Sequence, residues 1–231
     1  MNGQYLTGLN DITLSSQKPD IRISRMFTTP IITYRVSDSA ALNAGLKPAI
    51  LAAEKGYAST RRSNIGGWRS EHNLLEWQGD EIKLLESEIQ NAIKQVLAET
   101  TGKDGFDGYL KINAWANLLR KGHYNSVHNH PESAWSGVYY VDAGTIDASN
   151  PLSGVLELLD PRPFVEMVTV PGSPFGRPVR IDAENGLMVL FPSWLYHHVH
   201  AYTGEGDRIA IAFNVAALPP QAKAMMQPER F

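Results

Sequence analysis

Six of the seven histidines in this chain lie in two short segments that are far apart in sequence. The first segment reads G-H-Y-N-S-V-H-N-H-P and the second reads F-P-S-W-L-Y-H-H-V-H. Their histidines are His123, His128, His130, His197, His198 and His200. Because neutral imidazole is a favoured ligand of transition metals, the two segments together predict a metal site.

The spacing of the histidines selects a ligand set. Side chains two residues apart on a strand share a face, so His128 and His130 can bind one ion. His197 follows an apolar strand, Leu187–Phe191, and a turn, and in a β-rich fold it can approach the same ion. We therefore predict His128, His130 and His197 as metal ligands, with coordination positions left open for other molecules.

The remaining histidines fit a simpler interpretation. Since only alternate residues share a strand face, most of them cannot reach the same ion. We interpret His123, His198 and His200 as bystanders and the isolated His72 as structural.

The segment 208–215, R-I-A-I-A-F-N-V, separates two kinds of side chain. Its bulky face is typical of a core between sheets, whereas the other face carries Arg208, Ala210, Ala212 and Asn214. Small residues in the middle and donors at the ends would accommodate a small dianion, because arginine binds carboxylates through two hydrogen bonds. The alternative is a solvated edge strand with a surface arginine.

Two more segments carry polar groups on one strand face. In 109–119, Asn113, Trp115 and Asn117 share a face, which is unusual for a core and fits the wall of a site. In W-S-G-V-Y-Y-V, the hydroxyl group of Tyr140 either donates to an anion or has an ordinary buried partner.

Composition excludes several classes of function. A net charge of −3 without a basic run argues against a nucleic-acid partner. No cysteine is present, so disulfides and thiolate sites are excluded. The apolar runs are too short to cross a membrane, and no signal peptide is visible, so we expect a cytoplasmic protein. The oligomeric state stays open, with a homodimer as one option.

The chain (231 residues) fits one domain. We expect an N-terminal arm at 1–25, a strand and helices at 26–105, a β core at 106–216 and a tail at 217–231. Helices are predicted over 39–55 and 80–99, the second from its apolar spacing. Short strands are predicted at 29–36, 109–119, 126–130, 135–142, 154–160, 165–170, 178–182, 186–191 and 208–216. This pattern predicts a mainly β fold with N-terminal helices, a cupin-like jelly roll.

The motifs resemble a known group in combination. The runs H-N-H-P-E-S-A-W-S-G-V-Y-Y-V, F-P-S-W-L-Y-H-H-V and R-I-A-I-A-F-N-V resemble the 2-oxoglutarate/Fe(II) oxygenases of bacteria and phages. F-T-T-P-I and S-N-I-G-G-W-R-S near the N-terminus are similar to the same group, so the resemblance covers about residues 26–216. More distantly, the order of the motifs resembles that of prolyl 4-hydroxylases.

The resemblance implies a double-stranded β-helix, which is a jelly-roll variant, with Fe(II) and 2-oxoglutarate as cofactor and co-substrate. It implies that His128 is the first ligand and His197 the distal one. Arg208 would bind the far carboxylate of 2-oxoglutarate with help from Tyr140. Asn117 and Asn214 match positions that contact the metal-chelating end of the co-substrate in alkylation-repair dioxygenases.

One departure from the wider superfamily concerns the second ligand, which is usually a carboxylate. Here the matching position is His130, and the nearby Glu132 follows a proline and ranks below it. With three neutral ligands, the metal site carries one more unit of positive charge than a site with two histidines and one carboxylate. This favours an anionic chelator, and it leaves open that the metal is not iron.

The resemblance implies a dioxygenase that hydroxylates a C–H bond of a peptide, an amino acid or a small metabolite and releases succinate and CO₂. A second hypothesis is a cupin-type metalloprotein, a dioxygenase or isomerase that does not use 2-oxoglutarate. G-L-M-V-L-F-P-S-W-L-Y-H resembles the second cupin motif, with Trp194 in place of a glycine. A third hypothesis is a non-catalytic binding module.

Overall fold

The structure, a computed structural model, describes residues 27–102, 107–167, 171 and 176–220. The predicted arm 1–25 lies outside the described residues, as does most of the predicted tail. In the described part of the chain, the helices are α1 (Ser39–Gly56) and α2 (Asp80–Thr101). The strands there are β1 (Ile32–Arg35), β2 (Asn64–Ile65), β3 (Trp68–Arg69), β4 (Tyr109–Leu119), β5 (Tyr124–His128), β6 (Trp135–Asp142), β7 (Leu156–Leu158), β8 (Val179–Ile181), β9 (Leu187–Pro192), β10 (His197–Val199) and β11 (Arg208–Leu218).

Both predicted helices are confirmed within two residues at each end. One face of α2 carries an apolar residue at every third or fourth position, and the residues of this stripe are buried. They are Ile82, Leu85, Ile89, Ile93 and Val96. This stripe packs α2 onto a sheet, and the helix ends at Gly102, whose φ of 64° places it in the left-handed region.

The strands form two antiparallel sheets, as the jelly-roll prediction requires. The major sheet has the order β1-β9-β6-β11-β4-β3, and the minor sheet has the order β2-β5-β10-β7-β8. Three strands of the N-terminal segment 26–105 complete these sheets, since β1 pairs with β9, β2 with β5 and β3 with β4. The predicted boundary near residue 106 therefore does not separate the N-terminal segment from the sheets.

The bulky face of β11 lies on the opposite side of the sheet from the one we predicted. Ile209, Ile211 and Phe213 pack with the helices on the outer face of the major sheet and not between the two sheets. The helices supply the apolar partner for this face, so the side facing the minor sheet can hold small and polar residues. Ala210 lies on that inner side, in a smaller cluster with Tyr140.

Other differences are local. The prediction of a strand at 165–170 was wrong at its start, because Val165–Met167 is a 3-10 helix, and 168–170 lie outside the described residues. The predicted strand 126–130 ends at His128, before the second histidine of the pair. β10 was not predicted as a strand. No helix in the described part of the chain is both long and apolar enough to cross a membrane.

Candidate functional site

The histidines predicted as ligands come together on the minor sheet. β5 and β10 are neighbours, and His128 is the direct cross-strand partner of His197. His130 lies just past β5, and its backbone N–H donates to Ser193 O at 2.9 Å. Ligand atoms of the three side chains all lie within 4.8 Å of one another. The two β-segments are thus adjacent in one sheet.

Backbone contacts orient two of the three imidazoles. His128 Nδ1 lies 2.7 Å from Ser126 O, and His197 Nδ1 lies 2.9 Å from Leu195 O. A carbonyl can only accept, so in both rings Nδ1 carries the proton and Nε2 keeps its lone pair. Metal-binding histidines in proteins are commonly held by the same kind of contact. The donor set therefore fits a transition-metal ion.

Burial keeps these rings neutral. Together with repulsion from the neighbouring histidines, burial lowers the pKa of His130 to about 3 and that of His197 to about 4. The pKa of His128 is also lowered, chiefly by burial. At neutral pH all three rings can offer a lone pair to a metal ion, since protonation does not compete for it.

A narrow cavity of about 60 Å³ runs from the triad into the space between the sheets. Its lining includes Asn117, Tyr140 and Arg208 from three adjacent strands of the major sheet. Ala210 and Ala212 form part of its wall, as we predicted for the face of β11 that carries the small side chains. The structure thus places a guanidinium at a cavity shared with the triad.

Arg208 is only 3% exposed, so it is not the surface arginine of an edge strand. Its Nη2 donates to Gly154 O at 2.8 Å, and its guanidinium carbon lies 5.2 Å from the centre of the Tyr140 ring. Among the described residues no carboxylate pairs with it. Gly154 has a φ of +67°, and a Cβ there would lie 2.8 Å from Arg208 Nε, so this close approach requires glycine.

Three buried polar atoms along this cavity have no hydrogen-bond partner in the described part of the chain: Asn117 Oδ1, Tyr140 Oη and Arg208 Nε. Burial raises the pKa of Tyr140, which keeps its hydroxyl group protonated and able to donate. Buried polar groups in folded proteins are nearly always paired. Three unpaired groups in one cavity are therefore the features expected of a binding site for a polar molecule.

A second, wider cavity of about 320 Å³ lies on the other side of the triad. His128, His130 and Trp115 line both cavities, whereas Arg69, His72 and Asn214 line only this outer one. Asn214 Oδ1 accepts a hydrogen bond from Ser136 Oγ at 2.8 Å. The two asparagines predicted to share one role thus line different cavities.

The sequence interpretation missed two residues at the outer cavity. Arg69 belongs to the glycine-rich segment 63–70, and the pairing of β3 with β4 brings it there. His72, which we interpreted as structural, lies edge-on to Trp115 with ring centres 4.8 Å apart. The only signal in the sequence was the motif S-N-I-G-G-W-R-S, which gives no indication of its partner strand.

The other candidate ligands lie away from the triad. His198 and His200 point to the opposite face of the minor sheet, where Glu157 lies 3.5 and 3.0 Å from their Nε2 atoms. Arg180 Nε also donates to Glu157, at 2.7 Å. Glu132 is exposed and does not belong to the triad.

Comparison with known proteins agrees with this geometry. Residues 113–214 match the model of a family described as "Putative 2OG-Fe(II) oxygenase". No curated protein matches the chain significantly. The cofactors expected from the sequence, Fe(II) and 2-oxoglutarate, are those that the description of this family names.

Several solved structures share the fold. A Pseudomonas putida prolyl-4-hydroxylase is 11% identical, with a TM-score of 0.60, and the match covers 82% of this chain and 93% of that one. A Trichoplax adhaerens prolyl hydroxylase, in complex with a hypoxia inducible factor peptide fragment, is 12% identical with a TM-score of 0.57, covering 86% and 87%. HygX from Streptomyces hygroscopicus, with nickel and 2-oxoglutarate bound, is 12% identical with a TM-score of 0.56, covering 82% and 83%.

At these identities the solved structures show the fold alone, which is the jelly roll. Through its residues 113–214, this chain is similar to the 2OG-Fe(II) oxygenase family.

Proposed function

We propose that this protein is a 2-oxoglutarate- and Fe(II)-dependent dioxygenase that hydroxylates a C–H bond of a peptide, an amino acid or a small metabolite, with release of succinate and CO₂. The observation that carries the proposal is the buried guanidinium of Arg208. It has no carboxylate partner among the described residues and lines a cavity that begins at three neutral imidazoles. A buried charge of this kind calls for an anion, and a dicarboxylate could bind the metal and the guanidinium together.

His128, His130 and His197 would hold the iron through nitrogen atoms already within 4.8 Å of one another. When bound, Fe(II) and 2-oxoglutarate would activate O₂, which is the oxidant and supplies one oxygen atom to the substrate and one to succinate, and the protein supplies position and exclusion of water. Because all three ligands are neutral, the centre keeps the full charge of the ion. This strengthens its attraction for an anionic co-substrate.

Arg208 would bind the far carboxylate, and Tyr140 would donate its unpaired hydroxyl group to the same anion. The side-chain amide of Asn117, whose Oδ1 has no partner among the described residues, would donate its N–H to the co-substrate nearer the metal. Asn214, on the outer side, would face the substrate, which enters through the wider cavity. Ala210 and Ala212 keep the inner cavity open, since larger side chains there would project into it.

The test is anaerobic titration of Fe(II)-loaded protein with 2-oxoglutarate, following the visible charge-transfer band of a metal-bound keto acid. We expect the wild type to develop this band. We expect Arg208→Ala to weaken binding by at least about 30-fold, since removing one partner of a buried charge pair costs about 2–5 kcal/mol. Binding of Fe(II) itself should be retained.

Arg180→Ala is the matched control, because it removes an arginine on the far side of the minor sheet. It should leave the titration unchanged. Wild-type protein that holds iron and shows no band would contradict the proposal, and so would an Arg208→Ala variant with normal affinity.

The set of three histidines also supports a second candidate, a cupin-type metalloprotein that does not use 2-oxoglutarate. In that case Arg208→Ala would change neither metal binding nor catalysis. The burial of Arg208 beside the triad favours the first candidate.

A further inference from the structure

The outer cavity has a strongly one-sided charge. Arg62 and Arg69 line it together with His72, and no acidic residue of the described chain does so. At about 320 Å³ it is wider than the inner cavity and shares His128 and His130 with it. A molecule bound there would therefore lie against the metal ligands and within the field of two guanidinium groups.

Arg69 is the key residue of this cavity because it is only 3% exposed. Its Nη1 donates to Ser70 O at 3.3 Å, its Nη2 donates to His72 Nε2, and its guanidinium carbon lies 4.6 Å from the centre of the Trp115 ring. All three partners are neutral. Among the described residues no carboxylate lies within ion-pair distance of Arg69, and the nearby Glu71 accepts a hydrogen bond from Thr60 instead.

Burial without a counter-charge is unfavourable for this guanidinium. Burial, together with repulsion from Arg62, lowers the pKa of Arg69 to about 10, and Glu71 offsets only part of this effect. Burial, followed by the charge of Arg69, also lowers the pKa of His72, so this ring is a neutral acceptor and cannot add a charge of its own. Arginines buried to this degree are normally paired with an anion.

The geometry points to a substrate with an anionic group, a carboxylate or a phosphate, that is held by Arg69 and attracted by Arg62 in the outer cavity. This inference rests on the proposed function and specifies the substrate class for the same site. The flat guanidinium, already fixed by Trp115 and His72, suits an oxyanion that accepts two hydrogen bonds. The rest of such a substrate would extend toward the triad, where the oxidised bond must lie.

A different role is open to Arg69, in which its stacking on Trp115 only supports the fold. A purely structural arginine would affect stability when it is replaced, but it would not distinguish an anion from a neutral molecule of the same shape. The experiment therefore has to measure anion selectivity as well as folding.

The probes are acetate, inorganic phosphate and acetamide, which is a neutral analogue of acetate. Each is added to Co(II)-loaded protein saturated with 2-oxoglutarate, and the paramagnetic relaxation of its ¹H or ³¹P nuclei is measured. Binding of 2-oxoglutarate is measured first, so that its failure counts against the proposed function before any anion is added. We expect the Co(II) ion to increase the nuclear relaxation rate of at least one anion and not that of acetamide. The anion that responds indicates whether the charged group of the substrate is a carboxylate or a phosphate.

We expect Arg69→Gln to weaken binding of the responding anion by at least about tenfold, the effect of losing charge-assisted hydrogen bonds. Arg61→Gln, an exposed neighbour outside the cavity lining, is the matched control and should have no effect. Because Arg69 is buried, the Arg69→Gln variant is first checked for folding by its retained binding of Co(II) and 2-oxoglutarate. Arg62→Gln, at an exposed position, should weaken anion binding about two- to threefold because that charge is screened.

Three results would overturn the inference. The first is equal relaxation of acetate and acetamide. The second is no relaxation of either anion by protein that does bind 2-oxoglutarate. The third is anion relaxation that persists in Arg69→Gln, because it would indicate an anion bound to the metal and not to the guanidinium.

Discussion

Tyr140 carries a buried hydroxyl group without a hydrogen-bond partner in the described part of the chain. If this group serves the co-substrate, its removal should have opposite effects on stability and binding. We expect Tyr140→Phe to unfold at an equal or higher temperature without ligand, because an unsatisfied buried group is lost. Its affinity for 2-oxoglutarate should fall about five- to tenfold, equivalent to one hydrogen bond of about 1 kcal/mol.

Tyr139 is the natural control for this experiment because it points to the other face of β6. Its hydroxyl group donates to Asn43 Oδ1 at 2.7 Å. Tyr139→Phe should therefore lose about 1 kcal/mol of stability and keep its affinity for 2-oxoglutarate. A Tyr140→Phe variant that behaves like Tyr139→Phe would show that the Tyr140 hydroxyl group has a structural partner after all.

The neutral histidines of the triad predict a pH dependence of stability for the metal-free protein. The folded-state pKa values, about 3 for His130 and about 4 for His197, lie below the ordinary value of 6.5. Between pH 6.5 and pH 4 the unfolded chain therefore binds more protons than the folded chain. The free energy of unfolding should fall on acidification through this range, by up to about 1.4 kcal/mol per pH unit for each ring.

Urea denaturation of metal-free protein between pH 7.5 and pH 4.5 measures this slope. His130→Gln removes one of the buried rings, so its stability should fall less steeply with acidification than that of the wild type. If the free energy of unfolding fell equally steeply with acidification in the wild type and in His130→Gln, the assignment of His130 as a neutral ring would be contradicted.

At the scale of single elements, the small face of β11 determines the space in the inner cavity. Ala212 lies opposite Trp115 and Val138 on its neighbouring strands and lines the cavity. We expect Ala212→Val to fold and bind metal, because valine is favoured in strands. Its affinity for 2-oxoglutarate should fall about tenfold or more, since added methyl groups in a filled space cost about 1–3 kcal/mol.

Ala216→Val provides the matched comparison for this change. Ala216 lies on the same strand four residues further on, so it shares the face of Ala212 but lies outside the lining of either cavity. Calorimetric titration of both variants with 2-oxoglutarate measures the difference. Equal affinities in the two variants would place the co-substrate somewhere other than along β11.

Elements whose pattern is complete within one segment could be predicted from the sequence. The apolar stripe of α2 and the alternation of β11 each contain the information that defines them, so their bounds were nearly correct, as was the choice of residues that share a face. The convergence of His128, His130 and His197 was also predictable, because the motifs limit which residues can act as ligands. Their roles in binding stay predictions.

Features that depend on a distant partner could not be predicted. β10 has three residues, two of them histidine, and is a strand only because β5 and β7 pair with it. The bulky face of β11 was assigned to the wrong side because alternation separates two faces without indicating which one the helices cover. Arg69 was missed as a site residue for the same reason, since only its pairing with Asn117 of β4 brings it to the outer cavity.

At the scale of the whole molecule, the two sheets have different tasks. The major sheet buries its outer face under α1 and α2, which provides the larger apolar core. Its inner face is therefore free to hold Arg208, Tyr140 and Asn117, which are unfavourable for stability without a ligand. The minor sheet brings together the three histidines that we propose as metal ligands, and the pairing of β2 and β3 with the core brings the segment 63–70 to the site.

Because the proposed metal ligands lie on one sheet and Arg208 lies on the other, we expect metal and 2-oxoglutarate to stabilise the protein cooperatively. The metal provides one anchor for the co-substrate and Arg208 provides the other, so each ligand should bind more tightly when its partner is present. A ligand at one hundred times its dissociation constant adds about 2.7 kcal/mol of stability. For a chain of this size that corresponds to an increase of about 5–10 °C in Tm.

We therefore expect Ni(II) and 2-oxoglutarate together to raise Tm by clearly more than the sum of their separate effects, as measured by differential scanning calorimetry. Ni(II) replaces Fe(II) here to prevent turnover. In Arg208→Ala the effect of Ni(II) alone should persist while the additional effect of 2-oxoglutarate disappears, and in His128→Ala both should be strongly reduced. Strictly additive shifts in the wild type would mean that the two ligands occupy independent sites, and the cavity between the triad and Arg208 would then not be a co-substrate site.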